Sequence, residues 1–337
     1  MTTPFERDIG DQAEALLAFS QSATPPDVTT LLRGHYDRVV LTGMGSSHFA
    51  ALPSWRRLID AGYPAWWVDT GHLLDSPRLI TPGTLLVATS QSGASAEIVA
   101  MLESKNSIAR TAALIAITND PASPLARQAH ALMPLYSGGE ATVSTKSYLN
   151  SLTAHLRIAS ILTAGPSHDA ADAVKVAGEF SPSPLLHAAA ADLTAAPDGR
   201  LAYIGYGDHS ATALYAALIT KEAAKIPAEG FAGGQFRHGP LELAGPGLTA
   251  VLFGGDAPVN SSLCQLGRDL LDSGSAVLAV GDLDLAGANQ IAAPSGDALA
   301  QLAHGALVAQ HLSVAIARAK GITPGTFTYG SKVTTAL

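Results

Sequence analysis

The stretch Arg38-Val39-Val40-Leu41-Thr42-Gly43-Met44-Gly45 is an apolar, β-branched run ending in a glycine turn. Starting 162 residues later, Arg200-Leu201-Ala202-Tyr203-Ile204-Gly205-Tyr206-Gly207 matches it position for position. No other feature constrains the fold as strongly, because two copies of one unit imply two sheets with their own covering helices. Each copy is followed by a helical stretch and then a second apolar strand ending in a small-residue turn: Thr84-Leu85-Leu86-Val87-Ala88-Thr89 in the first half and Leu248-Thr249-Ala250-Val251-Leu252-Phe253 in the second. Short buried strands alternating with helices of about ten residues or more predict parallel sheets covered on both faces. The expected fold class is α/β, two tandem domains that are each a doubly wound parallel sheet flanked by helices in three αβα layers. Ligands then belong at the carboxyl ends of strands.

The 337 residues suffice for two such units, and 47% hydrophobic against 14% charged residues excludes a disordered or coiled-coil chain. Residues 1–35 read as an N-terminal helical segment, with Ile9, Ala13, Leu16 and Leu17 at helical spacing before Pro25-Pro26. That segment is too short for a DNA-reading head with a linker. The small-residue stretch Gly165–Ser183, with Pro166, Ser167 and Pro182, is the expected linker, giving domains at 36–180 and 181–337, the second with a C-terminal tail. A net charge of −8 offers no broad footprint for nucleic acid, so an anionic ligand must be held locally. The single cysteine, Cys264, cannot form an internal disulfide, and neither zinc-type Cys/His spacing nor HExxH is present, so no metal or other cofactor is expected. The residues Met1–Asp8 lack signal-peptide character and no uninterrupted apolar run reaches about 20 residues, which predicts a cytoplasmic protein with no membrane partner.

Three places carry chemistry. The turn Thr89-Ser90-Gln91-Ser92-Gly93-Ala94-Ser95 joins a buried strand to a helix, where free amides and the positive end of the helix dipole favour an anion. Its hydroxyls, carboxamide and glycine could satisfy a phosphate without Lys or Arg; the plain alternative is a polar turn with Ser92 or Ser95 as N-cap. Gly43-Met44-Gly45-Ser46-Ser47-His48 fails as a dinucleotide fingerprint because His48 takes the third glycine position, although Asp69, after Trp66-Trp67-Val68, mimics the ribose-binding acid of a nicotinamide enzyme. A phosphate site using Ser46 and Ser47 needs fewer assumptions. In the second half, Glu222 lies in the helix-forming run Ala213–Lys225. Packed among alanines it would be a desolvated base, and otherwise a solvated acid paired with Lys221 or Lys225. His238, in Phe236-Arg237-His238-Gly239-Pro240, could shuttle protons or simply sit at the surface.

Taken in order with Glu140-Ala141-Thr142-Val143-Ser144-Thr145-Lys146, Lys221-Glu222 and Ser331-Lys332-Val333-Thr334, these motifs resemble the sugar isomerase (SIS) family. The resemblance is to its tandem-domain members, similar to the isomerase half of glucosamine-6-phosphate synthase and to amino-sugar-phosphate deaminases. It implies that Ser90, Gln91, Ser92 and Ser95, with Ser46 and Ser47, hold the substrate phosphate. It further implies that Glu222 moves the C1–C2 proton, that His238 assists ring opening from the neighbouring subunit of a homodimer, and that Lys332 reaches the substrate carbonyl. Gly45, Thr142, Ser144 and Ser331 would make other substrate contacts. Two departures stand out: where the synthase helix carries a further Glu and Lys, this chain has Tyr215 and Ile219, and no glutaminase domain is expected ahead of the isomerase-like part. The implied enzyme acts on an amino-sugar 6-phosphate or related ketose phosphate by C2 proton abstraction, giving isomerisation or deamination. The loss of an acid and a cation leaves open a lyase or dehydratase that expels a C3 group from the same enolate. A phosphosugar sensor without turnover and, last, a nicotinamide oxidoreductase built on Asp69 are the remaining alternatives.

Overall fold

The computed structural model describes residues 1–103, 113–166, 170–254 and 257–336. The chain divides into two compact units.

The unit of the first sheet comprises Glu14–Glu140, Lys146–Ala171 and Tyr329–Leu337. Its described elements, preceded in the chain by α1 (Pro4–Gly10), are α2 (Gln12–Ser20), α3 (Pro26–Leu32), β1 (Arg38–Gly43), α4 (Gly45–Ala50), α5 (Leu52–Asp60), β2 (Ala65–Trp67), α6 (Thr70–Asp75), β3 (Thr84–Thr89), α7 (Ala96–Glu103), β4 (Ala113–Thr118), α8 (Pro124–Gln128), β5 (Ala131–Pro134) and α9 (Lys146–Thr163). The strands form one parallel sheet in the order β2-β1-β3-β4-β5. Every residue of β3 is buried, as expected of a central strand covered on both faces. Alternate side chains feed opposite cores. Leu41, Val87 and Ile115 join Phe19, Leu58 and Ile158 on one side. Val40, Leu86 and Leu114 join Ile98, Met101 and Leu125 on the other. Each such fully buried aliphatic side chain contributes about 1.5–3 kcal/mol.

The unit of the second sheet comprises Met1–Ala13, Ala141–Thr145 and Asp172–Thr328. Its elements beyond α1 are α10 (Ala171–Glu179), α11 (Pro184–Ala195), β6 (Arg200–Gly205), α12 (His209–Ala224), β7 (Glu229–Ala232), β8 (Leu248–Phe253), α13 (Ala257–Asp272), β9 (Ala276–Val280), β10 (Asn289–Ile291) and α14 (Ala298–Ala319). Read from the β7 edge, the parallel sheet runs β7-β6-β8-β9-β10, the same permutation of chain order as in the first sheet. Ile204, Ala250, Leu252 and Ala279 pack on Leu263, Leu266 and Leu270 of α13, and Cys264 is buried in that cluster as a small apolar group. The 22-residue α14 is apolar and long enough to cross a membrane by length and composition, but 89% of its most apolar window is buried inside the protein, as in a core helix. Its start is capped by Asp297, whose Oδ1 accepts from Ala300 N at 2.9 Å.

Four expectations need correction. The stretch 165–183 is not a plain linker, because Ala171–Glu179 is helical and buries Ala173 and Val176; Ser167 lies outside the described residues. The N-terminal segment 1–35 is not one piece, since residues 1–13 pack with the second sheet and the rest with the first. The tail after residue 328 joins the unit of the first sheet, whereas the sequence assigned it to the second half. Leu17 is 43% exposed while Leu16 is fully buried, because α2 buries only one stripe.

Candidate active site

β1 and β3 are adjacent, with Gly43 in register with Thr89, so the turns that follow them lie side by side at the carboxyl edge of the sheet. A Cβ at Gly43 would stand 2.8 Å from Thr89 O and 3.2 Å from His48 N, so only glycine permits this approach. Gly45 has φ +51° and opens α4, which buries Ser46 and leaves Ser47 half-buried. The Ser90–Ser95 turn is tied down from within, with Gly93 N donating to Ser90 Oγ at 3.1 Å and Ala94 N to Ser92 Oγ at 3.3 Å. Its backbone is held from the β4 side, where Asn119 N and Thr118 Oγ1 both donate to Gln91 O at 3.0 and 3.1 Å. Gly93 has φ +63°, and a side chain there would run into Ser123. Ser92 bonds the next-but-one amide while Ser95 O accepts from Val99 N, so the expected capping role falls on the Ser95 backbone and not on its hydroxyl.

Two histidines lie in the wall behind these turns. His155 Nε2 is 2.8 Å from Thr89 Oγ1, directly before Ser90, and His48 stacks on Trp67 with ring centroids 4.1 Å apart. The Nδ1 atoms of both are buried without a hydrogen-bond partner among the described residues. Burial, the dominant cause in each case, pushes His48 down to about 4 and His155 down to about 3. Both rings are therefore neutral at pH 7, and no buried cation backs the turns from these positions. Asp69 is taken up elsewhere: its carboxylate caps α6 through His72 N at 3.0 Å and pairs with the His72 ring. A capping role removes the one support for dinucleotide binding.

The tail brings Lys332 to the same unit. Ala96 N, at the start of the helix after the serine turn, donates to Thr334 O at 2.9 Å, which fixes the tail beside the turn. Lys332 Nζ reaches Glu140 Oε2 at 2.5 Å, and the Glu140 side chain is fully buried. Ser147 donates to the same carboxylate from its N at 3.1 Å and its Oγ at 2.6 Å, so one acid joins the first turn of α9 to the tail. Ser331 Oγ donates to Val333 O at 2.7 Å and shapes the tail turn. Ser46, Ser47, Ser90, Gln91, Ser92, Ser95, Ser331 and Lys332 thus share one unit.

Glu222, His238, Thr142 and Ser144 belong to the other unit. Glu222 is half-buried in the last turn of α12 beside fully buried Ala223 and Ala224. Lys221 Nζ donates to Ala228 O at 3.3 Å, and Lys225 Nζ donates to the Glu222 carbonyl. His238 is exposed in the turn between two 3₁₀ segments, next to Gly239 at φ +114°. Tyr215 and Ile219 are both fully buried. Sequence reasoning gave no site role to Glu140, His155 or Tyr215. His155 lay between Leu152, Leu156 and Ile158, a pattern that marks a buried face. The Glu140–Lys332 pair spans 192 residues and has no local signature.

Against known proteins, residues 34–159 match the SIS domain family. The chain is also homologous to part of glutamine–fructose-6-phosphate aminotransferase [isomerizing]. It is 29% identical to that protein from Bacillus thuringiensis subsp. konkukian over 290 residues, which cover 79% of this chain and 46% of the relative. It thus spans about half the length of such relatives. Among solved structures, the C-terminal domain of glucosamine-fructose-6-phosphate aminotransferase from Francisella tularensis superposes with TM-score 0.81 at 19% identity, covering 96% of this chain and 98% of that one. Glucosamine-6-phosphate deaminase from Thermotoga maritima gives 0.74 at 20% identity, covering 98% and 99%. At these identities the structures establish the shared α/β fold alone.

Proposed function

We propose that the protein is a phosphosugar-converting enzyme acting on an amino-sugar 6-phosphate, of the glucosamine or N-acetylglucosamine 6-phosphate class, or on a related ketose phosphate. Residues 181–337 are read as a second SIS domain, which the matching strand order of the two sheets supports. Ser46, Ser47, Ser90, Gln91, Ser92 and Ser95 hold the phosphate through hydroxyls, carboxamide and turn amides. Glu222 removes the C2 proton made acidic by the adjacent carbonyl, Lys332 stabilises the enolate oxygen that develops, and His238, supplied across a homodimer, carries the ring-opening proton. Gly45, Thr142, Ser144 and Ser331 make further substrate contacts. Return of the proton to C1 yields the isomer, and with a C2 amine can lead to loss of ammonia.

The observation that carries this reading is the pairing of two glycine/serine turns at the carboxyl edge of one sheet with a lysine held beside them by a buried carboxylate. Phosphate binding far from the reacting carbons supplies orientation, and an ammonium near the carbonyl lowers the barrier to enolate formation. A second outcome keeps support from Tyr215 and Ile219. Both are fully buried, and they stand where the family resemblance implies a further acid and cation, so in this second reading the enolate expels its C3 substituent. Incubating glucosamine, N-acetylglucosamine, galactosamine and fructose 6-phosphates in heavy water tests both. Deuterium at C2 of recovered substrate or C1 of product, abolished in Glu222→Gln, is expected; full activity in that variant overturns the assignment. The product mass separates isomerisation from loss of ammonia or water.

A further inference from the structure

The segment Ala141–Thr145 belongs to the unit of the second sheet although the residues on either side of it, Glu140 and Lys146, belong to the first. Two hydrogen bonds pin it there. Ala141 N donates to Asp8 Oδ2 at 2.8 Å at one end, and at the other Tyr215 OH donates to the Ser144 carbonyl at 2.6 Å. The direction of the second bond is set by its neighbours. Gln310 Nε2 donates to the Tyr215 oxygen at 2.8 Å, which leaves the phenol proton for the Ser144 carbonyl. Gln310 is held in turn by Gln12: Gln310 Nε2 donates to Gln12 Oε1 at 3.0 Å, while Gln12 Nε2 donates to Gln310 Oε1 at 2.8 Å and to Ile9 O at 3.0 Å. Tyr215, Gln310 and Gln12 are all fully buried, where a network with this many satisfied bonds is rigid.

Between the two pins, Thr142 Oγ1 is buried and has no hydrogen-bond partner among the described residues. Native proteins rarely leave a buried hydroxyl unpaired, and one held on a doubly anchored segment is placed to receive a polar group from outside the chain. We infer that Tyr215 is a positioning residue for sugar binding. Through the Ser144 carbonyl it fixes residues 141–145 so that Thr142 and Ser144 meet hydroxyl or amine groups of the sugar ring, with Gln310 and Gln12 keeping the phenol aimed. The inference rests on the phosphosugar reading and adds to it a residue that touches no substrate yet sets affinity for the sugar portion.

Tyr215→Phe keeps the buried ring and deletes only the hydroxyl. Titration calorimetry with glucosamine 6-phosphate and, separately, inorganic phosphate reads the two ends of the ligand, and the Tm reads stability. The expected result is a three- to tenfold weaker Kd for the sugar phosphate, about what one lost hydrogen bond allows, with the Kd for inorganic phosphate within about twofold of the parent. Thr142→Val, which keeps the shape and removes the unpaired hydroxyl, should show the same split and decides the matter if Tyr215→Phe does not fold. A merely structural role lowers the Tm without separating the two ligands; equal effects on both, or none on either, overturns the inference. A parent protein that binds inorganic phosphate but none of the sugar phosphates overturns the phosphosugar reading itself.

Discussion

Acid should loosen the unit of the first sheet in a way that one substitution can halve. His155 and His48 are held neutral by burial at about 3 and about 4, against 6.5 for a free imidazole. Because their folded values lie below the unfolded one, the unfolded chain takes up protons first, and stability falls as pH drops from about 6.5 towards 4. At pH 5 the folded rings are still neutral and the unfolded ones charged, so each costs 1.36 kcal/mol times the 1.5 units separating pH 5 from 6.5, or about 2 kcal/mol. The pair together removes about 4 kcal/mol between pH 7.5 and pH 5, a large part of the stability of an ordinary domain. His155→Gln keeps a polar partner for Thr89 and carries no titrating ring, so its loss over the same range should be about 2 kcal/mol. The three tryptophans, Trp55, Trp66 and Trp67, all lie in this unit, so urea unfolding followed by their fluorescence reads it directly. With a slope of roughly 2 kcal/mol per molar urea, parent and variant should diverge by about 1 M in midpoint shift. Equal acid sensitivity in the two proteins would refute the account of neutral, desolvated histidines behind the serine turn.

Gly93→Ala must adopt φ +63° with its methyl against Ser123, so a loss of about 1–3 kcal/mol in urea unfolding is expected together with weaker inorganic phosphate binding; unchanged affinity would separate the turn from the phosphate. Lys332→Met removes one of the groups that meet the buried Glu140 carboxylate and should lower the Tm, whereas the double variant with Glu140→Gln should recover part of that loss. If Lys332→Met alone leaves the Tm unchanged, the tail is not anchored through this pair.

The repeat of Arg38–Gly45 at Arg200–Gly207 made the two parallel sheets readable, because a buried strand feeding a glycine turn is written in consecutive residues. The serine turns were readable for the same reason, and Gly43 and Gly93 occupy positions where a side chain does not fit. Partnerships formed by distant residues were not readable. Glu140 finds Lys332 across 192 residues, and Tyr215 finds Ser144 across 71, through contacts that helical or strand periodicity does not encode. The stretch 165–183 misled because its small residues read equally well as loop or helix. Packing decided in favour of α10, through the burial of Ala173 and Val176.

The unit of the first sheet includes residues from Tyr329 onward, although the rest of it is complete in the chain by Ala171. During synthesis, at roughly 5–20 residues per second, about 160 further residues must be added before that last strip emerges, a wait of roughly ten to thirty seconds. Throughout that interval Lys332 is not yet there to meet the Glu140 carboxylate, nor Thr334 O to accept from the amide of Ala96. The nascent chain therefore carries an unfinished edge on the ribosome, and the second half is translated before the first can close.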